Sequence, residues 1–252
     1  MEGDGAHATA LSLRHIKVDV VPPSSSSNDS VNLDAFDATG TTYSKCIKAV
    51  DVVNHVLIVS LTAFILYHSM QVYNVLNLHV SLCTLGYVLL MSEAIVVLAG
   101  ESILTNSLTH RAKKHVHWVL QILGLISIIS GLVVMYRVKT VHFRSVHAIL
   151  GITSASLMIF LAMTGYPVFI ASKLRSYVRP VSIKFGHNFF GTACFAIGMA
   201  SQCYGYRKFR ALNEQTSLDV QVICIIVTAV ITILSIRNAL PSLFRQFIGL
   251  FR

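Results

Sequence analysis

The stretch His115-Val116-His117-Trp118-Val119-Leu120-Gln121-Ile122-Leu123-Gly124-Leu125-Ile126-Ser127-Ile128-Ile129-Ser130-Gly131-Leu132-Val133-Val134-Met135-Tyr136 runs for 22 residues without an Asp, Glu, Lys or Arg. A helix of ~20 residues, rising ~1.5 Å per residue, crosses the ~30 Å hydrocarbon layer of a bilayer. Lipid offers the backbone amides no water to bond, so a crossing segment of this kind is helical. Five further stretches read the same way, at 47–67, 78–99, 145–170, 185–206 and 218–240. With 115–136 they predict an all-α integral membrane protein of six transmembrane helices. The loops between them are short, so neighbours run antiparallel.

Composition agrees. Hydrophobic residues make up 54% of the 252 and charged ones 12%, with a mean hydropathy of +0.66, whereas a soluble domain carries about a quarter charged residues. The 20 Lys+Arg against 11 Asp+Glu sit in clusters between apolar runs, which fits insertion topology and a lipid bilayer and gives no reason to expect nucleic acid. Five cysteines, without a CxxC, read as buried thiols. Residues 1–45, with Pro22-Pro23-Ser24-Ser25-Ser26-Ser27, read as a disordered cytosolic tail without a secretory leader. Residues 46–241 form the six-span domain and 242–252 a short basic tail. Placing both termini in the cytosol collects fourteen Lys and Arg on that side against six on the other, the bias that sets orientation.

Ionisable residues inside spans are costly and are functional candidates by default. His79, His117, His147 and His187 each open a different span, the second to the fifth in order. Alternating direction brings His79 and His147 to the non-cytosolic end of a central four-helix bundle and His117 and His187 to its cytosolic end. Two imidazoles facing each other from two helices are what a six-coordinate haem iron takes as axial ligands. Zinc would call for three or four converging ligands, and neither end offers them. The glycines follow the histidines. Gly86 lies at +7 from His79, Gly124 and Gly131 at +7 and +14 from His117, Gly151 at +4 from His147 and Gly191 at +4 from His187, positions that return to within about 40° of the ligand's face. Such strips either let helices approach closely or leave room for a flat macrocycle beside its ligand.

The sequence motifs also carry a resemblance. Leu78-His79, Lys113-Lys114-His115-Val116-His117-Trp118, Arg144-Ser145-Val146-His147 and Phe185-Gly186-His187 open four successive spans. In order, spacing and flanking residues this is similar to the cytochrome b-561 family over about residues 47–240, and Ser92-Glu93-Ala94 with Gly100-Glu101-Ser102 is nearest to a short animal branch of it. The resemblance implies a diheme transmembrane reductase. It implies two haem b, the cytosolic one on His117 and His187 and the other on His79 and His147, with electrons passing from cytosolic ascorbate to monodehydroascorbate or a ferric chelate. It further implies an endomembrane location, endoplasmic reticulum or vesicles rather than plasma membrane, and homodimers among its members. A basic residue used for ascorbate elsewhere in the family has no counterpart in Ala94-Ile95-Val96-Val97-Leu98. The ascorbate side is therefore expected at Arg111, Lys113, Lys114, His115 and Lys184, and the acceptor side at Arg137, His142 and Arg144. The rival reading, a proton-coupled transporter using the histidines as a relay without haem, would need carboxylates facing them.

Overall fold

A computed structural model describes residues 27–98, 105, 107–209 and 218–252. The chain divides into two compact units, Met1–Thr42 and Tyr43–Arg252, and every site described below lies in the second. The main elements are α1 (Ser27–Met70), α2 (Val75–Val96), α3 (His110–Val138), α4 (Val146–Thr164), α5 (Pro180–Tyr206), α6 (Leu218–Ile236) and α7 (Ala239–Leu250). Among the described residues every regular element is helical. The starts follow local chemistry: Asn74, Thr109 and Ser145 accept from the amides of Asn77, Ala112 and Ala148, and Pro180 occupies the first turn of α5.

Four helices are long and apolar enough to cross a membrane, namely Lys45–Met70 within α1, α2, α3 and α4, and the α6–α7 pair, bent by 45°, makes a fifth candidate. α5 has the length but not the composition. Lys184, His187, Asn188 and Gln202 interrupt its apolar residues. The expected boundaries shift at both ends of the chain. α1 is already helical at Ser27, inside the stretch expected to be a tail, while 1–26 lie outside the described residues. The C-terminal stretch from 242 is helical too, because Leu240, Leu243, Phe244, Phe247 and Ile248 recur at helical spacing. Arg179 donates to the carbonyls of Leu250 at 2.9 Å and Gly249 at 3.0 Å, closing that helix at its C-terminus.

α1 and α2 pack antiparallel, as side-chain contacts at both ends show. Ser69 meets Ser81 at 2.7 Å at one end of α1–α2, and His55 meets Glu93 at the other. Ser127 donates to Leu82 O between α3 and α2, and Ser154 to Cys194 O between α4 and α5. α2 is not a uniform α-helix. Its middle, Leu85–Met91, is π-helical, and Gly86 there sits so close to α3 that a Cβ would come 2.5 Å from Ile128 Cγ1 and 3.0 Å from Gly124 O. The buried positions of α1 (Ile58, Leu61, Ile65) and α6 (Cys224, Ile231) join Tyr87, Met91, Phe195 and Met199 in one core. Val52, Val56, Val59, Ile223, Ile226 and Ile233 stay exposed on the opposite faces, as lipid-facing positions do.

α1 and α6 are joined by polar contacts. Arg237 donates to Asp51 Oδ1 at 2.6 Å and Asn54 to Ser235 Oγ at 3.1 Å, and Asp51 is only 2% exposed. Removing one partner of such a pair leaves the other charge uncompensated, which costs on the order of 3 kcal/mol. Asp51→Ala is expected to lower the thermal midpoint of the detergent-solubilised protein, whereas Asp51→Ala combined with Arg237→Leu recovers most of the loss. An unchanged midpoint in the single variant would contradict this account of the pair.

Candidate functional site

The four span-opening histidines form two groups at opposite ends of the helices. His79 is buried near the start of α2, and its Nδ1 donates to Gly131 O of α3 at 2.8 Å. His147, in the first turn of α4, donates from Nδ1 to Ser201 O of α5 at 2.9 Å, while Ser201 Oγ donates back to His147 O at 2.9 Å. A carbonyl cannot give a proton, so each contact fixes the hydrogen on Nδ1 and leaves Nε2 with its lone pair free. The two rings stand 6.0 Å apart between centroids, at 87° to one another. They border a cavity of about 630 Å³ that Tyr87, Gly151, Ser201 and Gly205 also line, within the range of small-molecule and cofactor sites.

At the other end His117 donates from Nδ1 to Ala94 O at 2.7 Å, where α2 finishes. His187 of α5 lies within electrostatic reach of it. His187 Nδ1 is buried without a hydrogen-bond partner, so one ring at this end is anchored and the other is not. Gly165 of α4 would place a Cβ 4.0 Å from His187 Cε1, which brings the end of α4 beside the start of α5.

The His79–His147 donor set suits a haem iron. A metal about 2 Å from each Nε2 on a common axis would hold the imidazole centroids about 6.3 Å apart, against the 6.0 Å between His79 and His147. Neutral imidazoles with Nδ1 held by a carbonyl are the oriented form that metal ligation uses. Among the described residues no group of three His, Cys, Asp or Glu side chains converges, so the donor sets are pairs. The glycines divide. Gly86 and Gly124 bring α2 and α3 together, whereas Gly151 meets only Ser201 Oγ at 3.3 Å and Gly191 has nothing within 4 Å. The second pair therefore leaves side-chain-free space next to His147 and His187, and the first serves helix approach.

The basic residues are spread over both ends. Arg111, Lys114, His115 and Lys184 are exposed, and Lys113 is buried. Arg137, His142 and Arg144 line the His79–His147 cavity together with Lys139 and Lys208. His142 is held by Tyr136, accepting its ring at 4.1 Å between centroids and its Nε2–H at the backbone carbonyl. The neighbouring Phe143 has φ 55°, a conformation a bulky side chain adopts only under constraint. Sequence reasoning missed Lys208, the backbone carbonyls that hold three of the histidines, and the short His55–Glu93 contact. Lys208 was visible only as one of several loop cations.

The chain matches known proteins on the same residues. The family model described as eukaryotic cytochrome b561 matches residues 78–212, a segment holding all four histidines. Transmembrane reductase CYB561D2 of Homo sapiens is 26% identical over 191 residues, 73% of this chain and 86% of that protein. The proteins of the same name from Mus musculus and Bos taurus are also 26% identical over 191 residues, with the same 73% and 86% shares. No solved structure matches.

Proposed function

The chain belongs to the eukaryotic cytochrome b561 family, and from that premise we propose that it is a six-span diheme reductase carrying electrons from cytosolic ascorbate to an acceptor on the far side of the membrane. Membrane electron transfer by an oxidoreductase is what the family and its relatives, named as transmembrane reductases, support. The observation that supports the finer reading is the grouping of the four histidines in two pairs at opposite ends of α2 to α5, three of them with Nδ1 on a backbone carbonyl. His79 and His147 would hold one haem b, and His117 and His187 the other, with spans two to five as the bundle around them. When bound, the haems supply the one-electron chemistry. The chain supplies the rest. Gly131, Ser201 and Ala94 carbonyls fix ring orientation and ligand basicity, Gly151 and Gly191 keep side chains off the macrocycle faces, and Tyr87, Phe195 and Met199 keep water from the core between the sites.

Arg111, Lys113, Lys114, His115 and Lys184 would attract the ascorbate anion, and Arg137, His142 and Arg144 would receive monodehydroascorbate or a ferric chelate. A homodimer in an endoplasmic reticulum or vesicle membrane, with both termini cytosolic, completes the proposal. The relay transporter is not favoured, because Glu93 is engaged by His55 of α1 and faces none of the four histidines.

The test is a pyridine haemochrome count with reduced-minus-oxidised spectra of purified protein. Two haems b per chain, reducible by ascorbate, are the expected result, and well-folded protein without haem would end the proposal. A second expectation concerns the donor. Arg111→Ala with Lys114→Ala removes two exposed cations, each worth about 0.5 kcal/mol, so the ascorbate concentration giving half-maximal reduction should rise about fivefold with the maximal rate unchanged. An unchanged concentration would place ascorbate elsewhere.

A further inference from the structure

α1 carries none of the four histidines, yet between residues 51 and 55 it turns three polar side chains toward its neighbours. Asp51, Asn54 and His55 lie at spacings of three and four. The first two fasten α1 to α6 through Arg237 and Ser235. The third reaches α2, His55 Nδ1 lying 2.8 Å from Glu93 Oε2 and 2.9 Å from Oε1. Groups of this kind are expensive in a membrane span and are retained for a purpose.

Glu93 directly precedes Ala94, the residue whose carbonyl holds His117 Nδ1 at 2.7 Å. That carbonyl is available because α2 ends there. Val97 N–H takes Glu93 O, and Leu98 N–H takes Ile95 O rather than Ala94 O. The backbone just before is the π-helical segment Leu85–Met91, so the terminal turn of α2 is set off from the rest of the helix by an irregular one. Its one described side-chain tie to α1 at this level is Glu93.

We propose that His55 and Glu93 are a positioning pair for His117. Tying the last turn of α2 to α1, they hold the Ala94 carbonyl on the imidazole and so set the potential of the metal centre at that end. The inference rests on His117 and His187 holding a haem. A strong Nδ1–H···O bond raises the basicity of the ligand and favours ferric over ferrous iron, so loosening the carbonyl raises the midpoint potential.

The test uses purified full-length protein with both haems, titrated potentiometrically, with the low-spin ferric EPR signals as a second readout. The haem concerned is identified as the one that His117→Ala removes. Glu93→Gln and His55→Leu are both expected to raise its reduced-to-oxidised ratio at fixed potential by about tenfold, about 59 mV for one electron. The other haem should not move, and His55→Gln, which keeps a donor within reach of Glu93, should return the potential toward the native value. An effect of the Glu93 charge alone would move the two variants in opposite directions, and that result overturns the proposal, as does a potential and EPR signal unchanged in both. If Glu93→Gln does not fold, His55→Leu and its His55→Gln rescue decide the matter. Native protein without two haems would instead refute the reading under "Proposed function" and is separately visible in the haemochrome count.

Discussion

His147→Ala is expected to yield folded protein with half its haem. The imidazole it removes stands opposite His79 at 6.0 Å between centroids and is held by the Ser201 carbonyl at 2.9 Å. The substitution would take away one of the two nitrogens proposed to hold that haem and leave His79 without a partner across the cavity. His117 and His187 lie at the far end of the helices and keep their surroundings, so the remaining haem should still be reduced by ascorbate. Transfer onward to an external acceptor should fall by more than about 100-fold, beyond the 10- to 100-fold that losing an outer-shell partner costs. His117→Ala should give the reciprocal pattern, keeping the haem at the His79–His147 end and losing direct reduction by ascorbate. The haemochrome count and spectra at 77 K separate the two cases. Two haems retained in His147→Ala would refute the pairing.

Gly198→Val should have the largest effect on folding. A Cβ at this position would overlap the edge of the Tyr87 ring at Cε1 and lie 2.8 Å from Ser154 Oγ. Neither neighbour can retreat, since Tyr87 is 2% exposed and Ser154 is fully buried, with Ser154 tied to Cys194 O at 2.8 Å. Overpacking usually costs about 1–3 kcal/mol, and a direct overlap with an aromatic ring belongs above that range. Little detergent-stable protein is therefore expected in size-exclusion chromatography. Tyr87 also lines the His79–His147 cavity, so protein that does survive should lose that haem first. The milder Gly198→Ala combined with Tyr87→Ala should regain more stability than the two single changes imply, a coupling of about 1 kcal/mol or more. Simple additivity would show that the two residues do not meet.

Most of the helices were legible because they rest on a local pattern, an apolar run, and the four histidines stood out as ionisable residues near the starts of four of them. What stayed hidden depends on partners. The carbonyls of Gly131, Ala94 and Ser201 exist at every residue, so no side chain announces which one an imidazole will find. The glycine register was readable but ambiguous, and space decides it: Gly86 and Gly124 meet another helix, while Gly191 meets nothing within 4 Å. Arg237 counts in the sequence as one more positive-inside cation, yet its guanidinium is bound to Asp51. Lys113, expected among the ascorbate residues, is 6% exposed, which leaves Arg111 and Lys114 as the accessible cations of that turn.

The π-helical segment Leu85–Met91 has one more effect. A π turn carries one residue more than an α turn, so it works as a phase shifter between the two halves of α2. It aims His79 at α3 on one side of the break, and Glu93 and Ala94 at α1 and His117 on the other. Removing a single residue there would let the helix close as an unbroken α-helix with its two halves still in phase, whereas winding all seven residues as α-helix would rotate the far half by about 100°. His79 and the Glu93–Ala94 turn would then be out of phase, although the sequence on either side had not changed.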